Sequence, residues 1–184
     1  MNELEKSDFI SFNPQIDTKK KDAVYRLADE YTLFYLTWVE PLGRTFKDQF
    51  YWQKQVGKPR YNTWLGHTFE ALCFKHSEMI KIALGIAGLT THVYQFHNDK
   101  VQIDMAIDRS DKSINLCEMK YSTSPFSMTA EEASKIERRK RALLLSRKRK
   151  VQVFVTLVTP IPAIRNKHYL GSIDNEINLQ SLFK

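Results

Sequence analysis

Three ionisable residues on two neighbouring apolar stretches carry the most chemical information in this chain. They are Asp104 in VQIDMAI (101–107), and Glu118 and Lys120 in INLCEMK (114–120). Strands of alternating character keep one face dry, so charged groups on converging strand faces are costly unless something uses them. A divalent metal would use them. Hydrolysis of a phosphodiester needs an activated water, a neutralised non-bridging oxygen and a stabilised leaving oxygen. Mg²⁺ serves all three, because it lowers the pKa of its water and binds phosphate oxygens directly. It takes hard oxygen ligands and keeps several waters, so two or three carboxylates suffice. Asp104 and Glu118 are the candidate ligands, with the Met119 carbonyl as a further one and Mn²⁺ as the alternative ion. Glu70 can reach the same ion from an upstream helix, directly or through water. Lys120 lies two residues beyond Glu118 on the same strand face, placed to orient the attacking water or to hold charge on the phosphate.

On its own an E-x-K triplet with an upstream Asp is a weak signal, found in many chains as a solvated salt-bridged face. The surrounding elements give it weight. Asn62-Thr63 opens a helix predicted to run through WLGHTFEALCFKHSEMIKIALGI (64–86). Leu65, Phe69, Leu72, Cys73, Met79, Ile80 and Ala83 form its apolar stripe, Glu70 lies beside that stripe, and Gly85 and Gly88 stop it. Thr91–Phe96 suits a strand, and Asn98-Asp99 a turn. In 101–107, Val101, Ile103, Met105 and Ile107 share one face and Gln102, Asp104 and Ala106 the other. After a turn at 110–113, Ile114, Leu116, Glu118 and Lys120 share a face opposite Asn115, Cys117 and Met119. Thr129 and Glu132 fit a capping box for a helix over 129–147. VQVFVTLVT (151–159) reads as a central strand buried on both faces and ended by Pro160 and Pro162. The order from Trp64 is helix, three strands, helix, strand: an α/β layer with a mixed sheet flanked by helices.

With 184 residues, 42% of them hydrophobic, the chain is long enough for one sizeable core and perhaps a small appendage. A formal net charge of +7 favours an anionic partner, nucleic acid before a membrane surface. Residues 1–22 are polar, carry Lys19-Lys20-Lys21 and read as a loosely attached lead-in with no signal peptide. No apolar run approaches membrane-spanning length, so the expected compartment is cytoplasmic and no membrane partner is expected. Cys73 and Cys117 form no metal pattern and are expected to be buried, reduced thiols. There is no GxxxxGK phosphate loop, which excludes a complete P-loop ATPase.

Val24–Leu27 reads as a short strand, and Asp29 as the N-cap of the segment that Pro41 and Gly43 close. In 44–63 aromatic residues alternate with cations; such a segment stacks on bases, or else anchors its rings in the domain. His67 and His76 are more simply polar helix-face or satisfied core residues, and His92, His97 and His168 show no ligand spacing. Asp108 and Arg109 are expected to form a turn ion pair, with phosphate contact the lesser alternative. The run from Lys135 to Lys150 is a solvated face or a phosphate-backbone contact, for which Arg138, Arg139, Arg141, Arg147, Lys148 and Arg149 are the candidates.

The order of elements and the motif resemble the PD-(D/E)XK nuclease superfamily. More narrowly, WLGHTFEALCFKH (64–76), IKIALGI (80–86), QIDMAIDR (102–109) and INLCEMKYS (114–122) resemble the nuclease-like C-terminal domain of archaeal-type AAA ATPases also found in bacteria. NKHY (166–169) and INLQSLF (177–183) match it too. YRLADEYTLFYLTW (25–38) resembles the end of the winged-helix segment that precedes that domain. The resemblance implies a restriction-endonuclease-like αβββαβ core over 61–184 behind an N-terminal extension, 1–60. It puts Asp104, Glu118 and Lys120 in the metal and catalytic positions, Glu70 in that of the helical carboxylate, and Gln102 beside them. Asp104 lacks the preceding proline of the superfamily name. The ATPase module has no counterpart in this sequence, so the chain is either a fragment of such a protein or a stand-alone relative, with an ATPase module or partner and a second copy of the chain as the candidate associates.

The function expected is a Mg²⁺-dependent endonuclease acting on DNA, with RNA as the alternative substrate. Against it stand a catalytically silent nucleic-acid-binding module and a protein-interaction domain that contacts an ATPase through 44–63.

Overall fold

The computed structural model describes residues 2–7, 9–13, 24–97 and 101–182. Two compact units divide the chain, residues 1–65 and 66–184. Lys19–Lys21 and Asn98-Asp99 lie outside the described residues.

In the first unit α1 (Asn2–Lys6) leads into β1 (Ile10–Asn13), which pairs antiparallel with β2 (Val24–Leu27). A loose lead-in was the expectation for this region; instead Ile10 aligns with Leu27 and Asn13 with Val24. Asp29 caps α2 (Glu30–Phe34) by accepting from the Thr32 N–H at 2.6 Å. The chain continues as a π-turn over Tyr35–Val39 and a 3₁₀ turn over Glu40–Leu42, and Gly43 at φ 71° ends it. The core here is aromatic. Trp38, 1% exposed, meets Trp52 and Trp64 edge-on with centroids 5.5 and 5.8 Å away. Arg60 stacks its guanidinium 4.8 Å over Trp38 and donates to the Thr37 carbonyl at 2.6 Å. Trp52 and Tyr61 of the aromatic–basic segment are thus anchored inside the unit, whereas Phe46 and Phe50 are exposed.

α3 (Pro59–Lys75) starts before the expected Asn62, with proline in its first turn, where a missing N–H costs nothing. The expected single helix ends at His76, whose φ of −100° and ψ of 29° leave the α region, and α4 (Ser77–Ala83) restarts after it. His and Ser are indifferent helix formers, so tertiary packing decides the junction.

The second unit is a five-stranded mixed sheet flanked by helices, an α/β architecture. Its strands are β3 (Thr91–His97), β4 (Gln102–Arg109), β5 (Ser113–Met119), β6 (Gln152–Thr159) and β7 (Asn175–Asn178), in that spatial order. The β3–β4–β5 meander is antiparallel, whereas β6 runs parallel to both β5 and β7. Between β5 and β6 the chain crosses over through α5 (Ala130–Leu145), and between β6 and β7 through α6 (Lys167–Ser172). The capping box at Thr129 and Glu132 is present, each side chain bonding the other's backbone N–H. On one side of the sheet Phe69 and Cys73 of α3 and Ile80 of α4 pack on Met105, Ile107, Cys117, Met119 and Val158. β6 is buried from Val155 to Thr159, as expected of a central strand. β7 was not expected: NEIN is short and polar, with Ile177 alone buried. A four-residue helix, α7 (Leu179–Leu182), follows it, and Leu179 packs against the core.

Candidate active site

Alternation along β5 sends Leu116 and Glu118 to the sheet face away from α3, and Cys117 and Met119 toward it. β4 meets β5 in register from Asp108–Ile114 to Met105–Cys117, and the same antiparallel register sets Asp104 across from Glu118, just past the last paired residues. On its other edge β4 is irregular. Tyr94 pairs with Ala106 and Phe96 with Ile103, so the single residue Gln95 faces both Asp104 and Met105. An extra residue bends a strand and re-aims its side chains. Here the bulge falls on Asp104, and β3 compensates through Gln95, which donates from Nε2 to the Asp104 carbonyl at 3.2 Å. The Asp104 carboxylate accepts from the Met119 N–H. Met119 thus touches the cluster through its backbone N–H.

Charge is concentrated at this break in the ladder. Glu118 is 2% exposed, and a cation holds each of its oxygens. Lys120 reaches Oε1 with Nζ at 2.9 Å, and Arg139 of α5 reaches Oε2. Burial pulls the Lys120 ammonium down, but Glu118 outweighs it and holds the group above the ordinary lysine value. Asp104 has the opposite problem. Burial, and then the charges of Glu118 and Glu70, push its carboxyl up to about 7, against the smaller opposing pull of Arg139. Glu70, on α3, is close enough to act on Asp104 through space, and its own neighbour is the exposed His67, with Nδ1 3.9 Å from Oε2. The same carboxylates border a thiol: Cys73 is pushed up to about 12 by burial, then by Glu70 and Asp104. Cys117 is raised further for the same first reason, and both cysteines are free and buried, as expected.

Four of the five residues assigned to catalysis from the sequence, namely Asp104, Glu118, Lys120 and Glu70, are therefore gathered into one electrostatic cluster. Gln102 is not drawn in: its side chain is exposed where β4 begins, and it makes no hydrogen bond to the cluster. Among the described residues no three His, Cys, Asp or Glu side chains stand close enough together to hold a metal ion in this arrangement.

The basic run divides. Arg138, Arg141 and Lys148 are exposed and take no part in the salt bridges of the described residues. Arg139 grips Glu118 instead of facing solvent. Arg147 and Arg149, also expected on a phosphate-binding face, both hold Asp108, at 3.3 and 2.5 Å, and Arg147 stacks 5.2 Å over the Tyr94 ring. The expected Asp108–Arg109 pair is absent for the same reason. Arg109 turns to Asp111 and Asn115.

Sequence reasoning missed the helix face that closes the site. Glu132, Lys135, Ile136 and Arg139, spaced for one side of α5, line a cavity of about 170 Å³ with Glu118, Lys120, Phe126 and Met128. That spacing was readable; what it would face was not.

No family model and no curated protein matches the chain. A solved structure, the crystal structure of "Protein of Unknown Function AF1548", is similar at a TM-score of 0.38 and 18% identity, covering 60% of this chain and 64% of that one. The likeness spans less than two thirds of that protein's length.

Proposed function

We propose that this chain is a metal-dependent phosphodiester hydrolase of the PD-(D/E)XK type, cutting DNA internally. The observation that carries the reading is the meeting of Asp104, Glu118 and Lys120 where the β4–β5 ladder ends, with the Asp104 carboxyl pushed up to about 7. The order α3–α4, β3–β4–β5, α5, β6 is that of the restriction-endonuclease-like core, which we take as the finer description of this α/β unit. A chain that needed these groups only for folding gains nothing by burying carboxylates that repel one another.

The donor set suits Mg²⁺ or Mn²⁺. All three carboxylates are hard oxygen ligands, and their mutual repulsion is the kind that a divalent cation relieves. Asp104 and Glu118 would hold the ion, and Glu70, which completes no three-ligand group in this arrangement, would reach it through water. Bound there, the ion would supply a water of lowered pKa and neutralise a phosphate oxygen. Lys120, held by Glu118 with its charge kept, is the chain's own electrophile; it orients the nucleophile or stabilises charge on the phosphate. Burial of Glu118 keeps water from competing for these contacts.

The test is relaxation of supercoiled plasmid under Mg²⁺ or Mn²⁺ by the wild type beside Asp104→Asn and Lys120→Ala. Cleavage lost in both variants supports the reading; equal cleavage in all three points to a contaminant. One observation favours a second reading, a silent nucleic-acid-binding module: both Glu118 oxygens are already occupied by cations. That module would bind DNA with a steep salt dependence under either metal, cut none, and keep its affinity in Asp104→Asn.

A further inference from the structure

Lys120 is the cation that an E-x-K motif explains; Arg139 is not. It arrives from α5, twenty-one residues further along the chain, and its Nη1 takes the one Glu118 oxygen that Lys120 leaves open. Glu118 is 2% exposed, so neither oxygen has water to fall back on. A buried carboxylate stripped of one partner is strongly destabilised, and an ion that comes onto Glu118 adds positive charge to an oxygen that already carries a cation. Charge balance has one cation leave, and the tether tells which: Lys120 is fixed two residues from Glu118 at the same strand end, whereas Arg139 reaches in from α5. With Asp104 ionised, Asp104, Glu118 and Glu70 against Lys120 and Arg139 sum to one negative charge. A divalent ion added with Arg139 in place turns the sum positive, whereas exchanged for Arg139 it brings the sum to zero.

Arg139 also has somewhere to go. It lines the cavity between β5 and α5 beside Lys120 and Lys135, and its side chain keeps 22% of its exposure against 3% for Glu118. A guanidinium binds phosphate through two parallel N–H donors, which a carboxylate with one oxygen already committed to Lys120 does not match.

We infer that Arg139 is an exchange residue: it guards Glu118 in the free protein, and a nucleic-acid backbone phosphate entering the β5–α5 cavity draws it off, opening the carboxylate to the metal. The inference rests on the metal-dependent reading above and adds to it a substrate-gated order of binding. Metal affinity and nucleic-acid affinity are then coupled, and coupling between two ligands is reciprocal.

The experiment titrates Mn²⁺ into the full chain by electron paramagnetic resonance, with and without a short non-cleavable phosphorothioate duplex. In wild type the duplex tightens Mn²⁺ binding about tenfold. Arg139→Gln binds Mn²⁺ about tenfold more tightly than wild type without duplex, and the duplex adds little. Arg139→Lys covers the case in which the glutamine variant does not fold: it retains a competing cation and so the wild-type affinity, but its single-point ammonium weakens the response to duplex. A duplex effect of equal size in wild type and variants overturns the inference while leaving the metal site standing. So does Mn²⁺ affinity in Arg139→Gln equal to or below the wild-type value. No Mn²⁺ binding in any form, duplex present or not, overturns both, and loss of binding in Glu118→Gln alone confirms that the ion read out is the one at this site.

Discussion

Two carboxylates on adjacent strands are each gripped by two cations, and they differ in what else is nearby. Asp108, where β4 ends, is held by Arg147 and Arg149. Glu118, where β5 ends, is held by Lys120 and Arg139, but Asp104 and Glu70 press on the same volume. At Asp108 one carboxylate faces two cations, and the contact reads as a tie between the sheet and the end of the basic run. At Glu118 negative charge is in surplus, and surplus charge in a buried place is what a functional site leaves behind. The comparison makes one prediction before any other: the two clusters should fail differently when broken.

The largest expected effect is on turnover. Asp104→Asn, Glu118→Gln and Lys120→Ala should each lower plasmid relaxation by about a hundredfold to a thousandfold. Asp108→Asn, which touches no reacting atom in the proposal, should leave the rate unchanged. Initial rates across a range of enzyme concentrations decide it, and a fall in Asp108→Asn as deep as in Glu118→Gln would erase the distinction between the clusters.

Next in size is a pH dependence of stability owed to Asp104. Its folded carboxyl sits at about 7 against an ordinary value of 3.8. Between those values the folded state binds the proton that the unfolded state has lost, so stability falls as pH rises from the ordinary value through 7. Over the whole interval the loss is at most about 4 kcal/mol. Urea midpoints at pH 5 and pH 8 should therefore differ in wild type and converge in Asp104→Asn. Mg²⁺ should raise the midpoint more at pH 8, where the unneutralised carboxylate costs most.

How much of this was legible from residues alone follows from how far each contact reaches along the chain. Short-range features could be read: the Asp29 cap, the Thr129–Glu132 capping box, the alternation of 114–120, and the Glu118–Lys120 pair two residues apart. Each depends on neighbours in sequence. The bulge at Asp104 could not, because no glycine or proline marks it and it exists only against Gln95 of the partner strand. Nor could the Arg139 partner of Glu118 or the arginine partners of Asp108 be read. Arg139 and Arg149 arrive through the α5 crossover, which a linear sequence shows only as a basic run. β7 escaped because NEIN has a single buried residue and borrows its strand character from the β6 edge.

At Asp108 the expected effect is on folding alone. Asp108→Asn takes the carboxylate charge from Arg147, whose side chain is only 12% exposed and which keeps its contacts with Tyr94. Removing one partner of a mostly buried pair costs about 3 kcal/mol, read as a fall in the urea midpoint.

The smallest effect sharpens the division of the basic run itself. Arg149 is 48% exposed on its side of the Asp108 pair, so Arg149→Ala should cost no more than about 1 kcal/mol of stability. Paired with a carboxylate, it has less charge to offer a phosphate than an arginine outside any salt bridge. Arg138 and Arg141 are exposed, with no carboxylate in salt-bridge reach among the described residues. Replacing either should lower duplex affinity uniformly across sequences and reduce the slope of log affinity against log salt by about 1. Fluorescence anisotropy with one labelled duplex at several salt concentrations measures all three variants on one scale. If Arg149→Ala changes the slope as much as Arg138→Ala does, the Asp108 tie opens to admit phosphate, and the two carboxylate clusters are more alike than their neighbours suggest.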